Sequence, residues 1–376
     1  MNRLTGKVRS LDELIERIRS MPEIMERVTH WHTLPPREAR TVPFPRGIHP
    51  KLRQALEDKG IHALYTHQAS AFEAVANGEH IVAVTPTASG KTLCYNLPVL
   101  QSLLEDDSVR ALYLFPTKAL AQDQVAELQE LADRMEAEFK CHTYDGDTPP
   151  SARQAIRNAG HVVVTNPDML HSAILPHHTK WVKLFENLRY IVIDEVHAYR
   201  GVFGSHVANV IRRLKRICRF YGSQPQFICA SATIANPREH AERLIGERVT
   251  LIDNNGAPSG EKHIVFYNPP VVNRQLGIRR SSVLESQKLA GLLLKNGIQT
   301  IVFARSRVRV EILLTYLQDM FKGDIGQKRI RGYRGGYLPK QRREIERGLR
   351  NGDILGVVST NALELGIDIG QLQACV

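Results

Sequence analysis

The residues with the clearest chemistry are Gly90, Lys91 and Thr92, which end a short loop of small side chains. The apolar residues 81–84 before the loop predict a buried strand, and residues 93–100 after it predict a helix. A strand, a small-residue loop, a Gly-Lys-Thr triplet and a helix together form a phosphate-binding P-loop. Backbone N–H groups of such a loop face the β-phosphate, Lys91 would contact the β- and γ-phosphates, and the Thr92 hydroxyl would ligate Mg²⁺.

A pair of carboxylates offers the second half of the same site. Asp194 and Glu195 directly follow the apolar residues 190–193, which predict another strand. Asp194 would hold Mg²⁺ through water, and Glu195 would orient and deprotonate an attacking water. By itself an Asp-Glu pair is more often a solvated strand end, and the Gly-Lys-Thr triplet could be a chance match, because Thr85 stands where the pattern has glycine. The presence of both features after apolar strands favours a site that binds and hydrolyses a nucleoside triphosphate.

The elements that must position these residues alternate between strands and helices. Besides residues 81–84, the apolar runs that predict strands are 109–115, 161–165, 190–193 and 226–230. Near-continuous apolar strands between helices indicate an α/β fold whose parallel sheet is covered on both faces. Polar and small residues follow each strand, at the end of the sheet where such folds bind ligands.

The alternation occurs twice along the chain. The turn-forming, apolar-poor residues 253–260 are interpreted as a linker, and strand–helix alternation resumes at residue 300. Residues 11–29 place apolar side chains near helical spacing, with Pro22 as a break or a restart. We therefore expect an N-terminal helical extension at 1–60, a first domain at 61–254 and a second domain at 255–376.

The composition and charge of the chain indicate which classes of partner to expect. The chain has 376 residues and a net charge of +11, so a polyanionic partner is expected, although a generic basic surface gives the same balance. Basic residues concentrate at 212–219 and 328–350, where they could contact phosphates or form a solvated face. Five scattered cysteines without a CxxC pair argue against a zinc site and disulfides and suggest a reducing cytoplasm. Because no apolar run approaches the roughly 18 residues of a spanning helix, we expect no membrane partner.

A series of short polar motifs follows the predicted strands and helices in chain order. The motifs are Gln68, Thr87-Ala-Ser-Gly-Lys-Thr92, Pro116-Thr-Lys-Ala-Leu-Ala121, Thr165-Asn-Pro-Asp168, Asp194-Glu-Val-His197, Ser231-Ala-Thr233, Val302-Phe-Ala-Arg-Ser306 and Ser359-Thr-Asn-Ala-Leu-Glu-Leu-Gly-Ile-Asp368. Together they resemble the motif series of the superfamily-2 DEAD/DEAH-box helicases. The resemblance implies an α/β protein with two RecA-like (P-loop NTPase) domains that uses ATP and Mg²⁺ and moves on nucleic acid.

A longer stretch, which begins at the end of the Asp194-Glu-Val-His197 motif, resembles one branch of this family. Residues 197–213, His197-Ala-Tyr-Arg-Gly-Val-Phe-Gly-Ser-His-Val-Ala-Asn-Val-Ile-Arg-Arg213, are similar to the MrfA (YprA) branch, relatives of eukaryotic RecQ-like repair helicases. Members of that branch are ATP-dependent 3′-to-5′ DNA helicases linked to DNA repair. The resemblance therefore implies a bacterial, cytoplasmic, nucleoid-associated protein whose partner is single-stranded or tailed duplex DNA.

The resemblance also assigns roles to matching residues. Gln68 would read adenine through one donor and one acceptor of its amide. The remaining nucleotide contacts would be Thr87, Ala88, Ser89, Gly90, Lys91 and Thr92, with Gly366 and Asp368 from the second domain. Catalysis would use Lys91, Asp194 and Glu195, with Thr92 and Asp194 on Mg²⁺. Nucleic acid would lie along Thr117, Lys118, Asn166 and Asp168 of the first domain and Arg305, Ser306 and Thr360 of the second. His197, Ser231 and Thr233 would couple hydrolysis to domain motion.

The family's last motif, Gln-x-x-Gly-Arg-x-Gly-Arg, and the cysteine-rich zinc domain of the MrfA branch do not occur in these residues. The resemblance therefore implies an incomplete second domain in an N-terminal fragment or truncated product. Since the motif supplies arginine fingers, whose loss costs about 10³–10⁵ in rate, we expect ATP binding with slow hydrolysis. A DNA helicase or translocase of the MrfA type is favoured. The alternatives are an RNA helicase of the same superfamily and a non-catalytic, nucleotide-dependent nucleic-acid-binding fragment.

Overall fold

The computed structural model describes residues 10–321, 328–363 and 372–376. By their packing these residues divide into two units, one formed by residues 36–260 and the other by residues 10–35 together with 261–376. The division differs from the boundaries expected near residues 60 and 254, because residues 36–60 pack with the larger unit and residues 10–35 pack with the smaller one. Each unit has its own apolar core.

The N-terminal segment is only partly helical. It consists of α1 (Leu11–Arg19), α2 (Pro22–Met25) and β1 (Val28–Leu34). Pro22 occupies the first turn of α2, where its missing N–H is not needed, so it restarts the helix as predicted. Residues 28 and 29, which were expected to continue the helical segment, instead begin β1.

The larger unit places its helices around one sheet. Its elements are β2 (Thr41–Val42), α3 (Pro50–Asp58), β3 (Leu64–Tyr65), α4 (Thr66–Ala76), β4 (Ile81–Val84), α5 (Thr92–Glu105), β5 (Arg110–Leu114), α6 (Lys118–Arg134), β6 (Cys141–Thr143), α7 (Pro150–Ala159), β7 (Val162–Thr165), α8 (Pro167–Met169), a π turn (Leu170–Ile174), a 3₁₀ turn (Leu175–Lys180), α9 (Val182–Glu186), β8 (Leu188–Ile193), a 3₁₀ turn (Val196–Ala198), α10 (Gly201–Phe220), β9 (Gln226–Ser231), α11 (Pro237–Ile245) and β10 (Thr250–Ile252).

The main sheet of this unit has seven strands in the order β10-β4-β9-β8-β5-β7-β6. All of its neighbouring strands are parallel. Strands β4, β7 and β8 are buried along almost their whole length, which explains their continuous apolar sequences. Because the strands are parallel, the residues that follow β4, β9, β8, β5 and β7 gather at one edge. This gathering confirms the fold predicted from the alternating pattern.

The smaller unit continues after residue 260. Its elements there are β11 (Lys262–Tyr267), β12 (Val271–Asn273), β13 (Ile278–Arg279), α12 (Ser282–Lys295), β14 (Thr300–Phe303), α13 (Arg307–Met320), β15 (Ile330–Tyr333), α14 (Pro339–Arg350), β16 (Gly356–Ser359), a 3₁₀ turn (Asn361–Leu363) and β17 (Ala374–Cys375).

The smaller unit contains a second parallel sheet, with the strand order β15-β16-β14-β17. A separate antiparallel ribbon joins β1 to β11 and thereby ties the N-terminal segment to this unit. None of the helices in the described part of the chain combines the length and the apolar character that crossing a bilayer requires.

Candidate functional site

The loop after β4 has the backbone turns of a phosphate cradle. Ala88 and Gly90 both adopt positive φ, +59° and +74°, so the chain turns tightly before α5 begins. Lys91 Nζ donates to the carbonyl oxygen of Thr85 at 2.9 Å, which holds the ammonium group across the loop. The Thr85 and Ser89 hydroxyls hydrogen-bond to each other at 2.5 Å. The threonine at the expected glycine position therefore helps to close the loop.

The amide of Gln68 joins the start of α4 to this loop. Its Oε1 accepts from the N–H of Tyr65 at 2.9 Å, and its Nε2 donates to the carbonyl of Gly90 at 2.9 Å. A side chain at Gly90 would collide with it, since an added Cβ would lie 2.7 Å from Gln68 Nε2. The amide keeps one N–H and one lone pair for another partner, so adenine recognition stays a prediction.

His67 is a residue of the site that the sequence analysis missed. It is completely buried. Its Nδ1 accepts from the N–H of Gly256 at 3.2 Å, so the proton lies on Nε2, which donates to the carbonyl of Ser89 at 3.1 Å. Burial lowers the pKa of His67; the Ser89 carbonyl opposes that effect and the charge of Lys91 adds to it. The neutral ring connects the phosphate loop to the chain segment that leaves β10.

Asp194 and Glu195 follow β8 at the same edge of the sheet. Asp194 is 9% exposed; its Oδ1 accepts from the N–H of Glu195 at 2.7 Å and its Oδ2 lies 3.0 Å from the Tyr95 hydroxyl. Burial, and then the charge of Glu195, raise the pKa of Asp194 to about 6, against its hydrogen bonds and Lys91. Burial also raises the pKa of Glu195, and Lys91 opposes that shift.

This arrangement fits a magnesium–phosphate ligand. Asp194, which is buried, and Glu195, which is half-buried, both lie in the field of Lys91, and a divalent cation would neutralise the negative charge that remains. In the described ranges no group of three His, Cys, Asp or Glu side chains could hold a metal ion. Mg²⁺ usually binds through one or two carboxylates and completes its shell with phosphates and water. The hydroxyl of Thr92 and the carboxylate of Asp194 are oxygen ligands of the kind it prefers.

His197 connects the ends of β8 and β9. Its Nδ1 lies 3.3 Å from Glu195 Oε2, 3.3 Å from the N–H of Ala232 and 3.5 Å from the Ser231 hydroxyl. When Nδ1 carries no proton, it accepts a hydrogen bond from the N–H of Ala232. When Nδ1 is protonated, it donates instead to the carboxylate of Glu195. The structure thus brings together two of the three predicted coupling residues, His197 and Ser231. The third, Thr233, is exposed in the loop after β9.

The predicted nucleic-acid residues of the larger unit lie at the ends of β5 and β7. Thr117 caps α6 by accepting from the N–H of Leu120, and Asn166 caps α8 by accepting from Met169 at 2.9 Å. Lys118 is exposed and forms an ion pair with Asp147 at 2.8 Å, and Asp168 is exposed. These side chains therefore shape the polar edge of the sheet in addition to any contact with a ligand.

The predicted residues of the smaller unit lie at the ends of two neighbouring strands. Arg305 and Ser306 are exposed after β14, and Ser306 caps α13 by accepting from the N–H of Arg309. Thr360 is half-buried after β16. Gly366 and Asp368, which were predicted to approach the nucleotide, lie outside the described residues.

Comparison with known proteins agrees with this geometry. The model of the DEAD/DEAH box helicase family matches residues 65–240, and that of the helicase conserved C-terminal domain matches residues 285–376. The chain is 68% identical over 370 residues to the uncharacterized ATP-dependent helicase YprA of Bacillus subtilis, and 40% identical over 386 residues to the ATP-dependent helicase hrq1 of Schizosaccharomyces pombe. These alignments include 98% and 99% of the chain but 49% and 36% of the two relatives.

A solved structure is similar to this chain in both sequence and fold. The crystal structure of the DUF1998 helicase MrfA bound to DNA and AMPPNP matches with a TM-score of 0.92 and 68% sequence identity. The match covers 98% of this chain and 51% of that one. The chain therefore spans about half the length of YprA and MrfA and 36% of the length of hrq1, and it matches them along nearly all of its own length.

Proposed function

From the premise that this chain belongs to the DEAD/DEAH-box helicases, and to their MrfA (YprA) branch, we propose that it binds MgATP and couples ATP hydrolysis to movement on single-stranded DNA. The observation that carries the proposal is the carboxylate pair of the buried Asp194 and the half-buried Glu195, which shares one sheet edge with Lys91 and the phosphate loop. Two neighbouring carboxylates beside a phosphate loop suit a ligand that brings its own metal and phosphates.

In the proposed reaction each of these side chains has one role. Lys91 would exchange the carbonyl of Thr85 for the β- and γ-phosphate oxygens. Thr92 and Asp194 would hold Mg²⁺, which supplies charge neutralisation at the phosphates. Glu195, whose pKa is raised by burial, would accept a proton from the attacking water. The neighbouring His197, within 3.3 Å of Glu195, would carry the change in charge at that carboxylate to Ser231 and the loop after β9.

The proposed path of the strand uses exposed polar groups. Lys118 and Asp168 of the larger unit and Arg305 and Ser306 of the smaller unit are exposed. Lys118, Arg305 and Ser306 can therefore donate to phosphates, and Asp168 can accept from a sugar or a base. Contacts to the backbone predict binding that is weakly dependent on sequence and strongly dependent on salt. Alternation between a nucleotide-bound and a nucleotide-free arrangement would move the strand.

DNA is proposed as the partner because MrfA, whose structure contains DNA, is 68% identical to this chain. Movement in the 3′-to-5′ direction, a role in repair and a cytoplasmic location at the nucleoid belong to the same proposal, which rests on membership of that branch.

The proposal is tested by measuring steady-state ATP turnover with single-stranded DNA or with RNA of the same sequence. We expect DNA to stimulate turnover more strongly than RNA, and we expect Lys91→Ala to abolish the stimulation. Stronger stimulation by RNA would overturn the choice of partner. Tight binding of MgATP and DNA without stimulated turnover would instead favour the non-catalytic, nucleotide-dependent nucleic-acid-binding fragment.

A further inference from the structure

Tyr95 joins three elements around the proposed magnesium residues. It lies one helical turn after Thr92 on α5 and is 1% exposed. Its hydroxyl oxygen is 3.0 Å from Asp194 Oδ2, at the end of β8, and 2.9 Å from the side-chain oxygen of Gln124 on α6. Burial and the charge of Asp194 raise the pKa of Tyr95 well above its ordinary value, and a hydrogen bond with the Thr92 side chain opposes them.

The hydroxyl has a single proton, so it cannot donate to both oxygens. A carboxylate can only accept, and the proton therefore belongs to the bond with Asp194. Gln124 Nε2 is buried and finds no hydrogen-bond partner among the residues that the structure describes. Turning the amide by 180° exchanges its oxygen and nitrogen and places this N–H on the Tyr95 oxygen. The result is a directed chain in which Gln124 donates to Tyr95 and Tyr95 donates to Asp194.

The ring that carries this hydroxyl is held firmly. Tyr95 packs edge-on against Tyr113, with ring centroids 5.7 Å apart and planes at 90°. Tyr113 is also fully buried, and its hydroxyl donates to Asn96 at 3.1 Å. A rigid ring fixes the position of its hydroxyl, so Asp194 Oδ2 has a fixed donor on one side, and its remaining lone pair is directed elsewhere.

We propose that Tyr95, oriented by Gln124, is a positioning residue that holds Asp194 in the arrangement that accepts a divalent cation. The inference rests on the proposed function, since it assumes that Asp194 meets the metal of a bound nucleotide. Tyr95 itself does not touch the metal or the phosphates in this account. It orients Asp194, at the end of β8, from its place on α5.

The test compares Tyr95→Phe with the matched control Tyr113→Phe, which removes a neighbouring buried hydroxyl bonded to Asn96. The probe is Mn²⁺, whose binding in the presence of AMPPNP is followed by electron paramagnetic resonance. We expect Tyr95→Phe to raise the half-saturating Mn²⁺ concentration by about tenfold, the effect of one hydrogen bond to a charged group. The Tyr113→Phe variant should match the wild type, and Gln124→Met should shift in the same direction as Tyr95→Phe, by less.

Nucleotide binding in EDTA, followed with a fluorescent ATP analogue, separates positioning of the metal from damage to the core. The account expects this metal-free affinity to stay within about twofold in Tyr95→Phe. Wild-type Mn²⁺ affinity in Tyr95→Phe, or equal losses in the two phenylalanine variants, would overturn the inference. A wild-type chain that binds nucleotide but shows no metal dependence would overturn it while leaving nucleotide binding in place. A wild-type chain that binds no nucleotide would instead refute the proposed function.

Discussion

The two parallel sheets use their corresponding edges differently. At the edge of the larger sheet the key polar side chains are buried and already paired with one another, as Asp194, Gln68 and His67 illustrate. At the edge of the smaller sheet, Arg305 and Ser306 are exposed. Burial strengthens electrostatic interactions and fixes geometry, which bond cleavage requires. Exposure leaves side chains free to meet a long, charged and sequence-variable strand. Under the proposed function, chemistry belongs to the buried side chains of the larger sheet, and strand contact belongs to exposed side chains, which include Arg305 at the smaller sheet and Lys118 at the larger one.

Among the substitutions considered, removal of the proposed base Glu195 should cause the largest loss of catalytic activity. We expect Glu195→Gln to lower ATP turnover by about 10²–10⁴-fold, the usual contribution of a general base, with ATP affinity retained. Single-turnover hydrolysis and nucleotide binding measure the two quantities separately. The exposed Glu239, paired with Arg243, provides a control, and Glu239→Gln should leave turnover unchanged.

Loss of Lys91 should weaken the binding of ATP. We expect Lys91→Ala to weaken ATP affinity by about 10- to 100-fold, because one charge-assisted contact to the phosphates disappears. Titration with a fluorescent ATP analogue checks this expectation. Binding of DNA in the absence of nucleotide should not change, and a parallel loss of both affinities would show that the two edges are not separate in function.

The raised pKa of Asp194 predicts that removing its charge stabilises the fold, whereas the substitutions above reduce activity or affinity. Because the folded pKa is about 6, above the ordinary value of 3.8, its contribution is favourable at low pH and is lost as pH rises through 6. In metal-free protein at pH 8, Asp194→Asn should therefore raise the free energy of unfolding by about 1–3 kcal/mol. Urea unfolding at pH 5 and pH 8 measures it. A variant that is equally destabilised at both values would contradict the assigned burial of charge.

Changes at the exposed edge should be smaller. We expect Arg305→Ala to reduce the affinity for single-stranded DNA by several-fold and to lower the salt dependence of binding by about one phosphate contact. Fluorescence anisotropy at several salt concentrations gives both numbers. Arg243→Ala, on the larger unit and already paired with Glu239, is the matched control and should leave the slope unchanged.

The parts that the sequence made predictable depend on local patterns. Residues 81–84 and 190–193 are continuous apolar runs, so their strands and the polar groups that follow them could be placed from spacing alone. The loop at Ser89, Gly90 and Lys91 is likewise a local motif. The two parallel sheets then follow from the alternation of strands and helices.

What could not be predicted depends on contacts distant in the chain. Tyr95 and Asp194 are 99 residues apart, and His67 and Gly256 are 189 apart. An apolar helix gives no sign that one tyrosine will face a carboxylate, and a histidine beside Gln68 gives no sign of its second partner. The pairing of β1 with β11 was missed for the same reason, because polar residues such as Thr29 and His30 interrupt the pattern that would reveal a strand.

The most direct test of the two-edge account measures ATP turnover against single-stranded DNA concentration for the wild type, Glu195→Gln and Arg305→Ala. The account predicts that Arg305→Ala reaches the wild-type maximum at a higher DNA concentration, whereas Glu195→Gln stays near the background rate at every concentration. A maximum for Arg305→Ala as low as that of Glu195→Gln, or normal turnover in Glu195→Gln, would contradict the division between a buried edge for chemistry and an exposed edge for DNA.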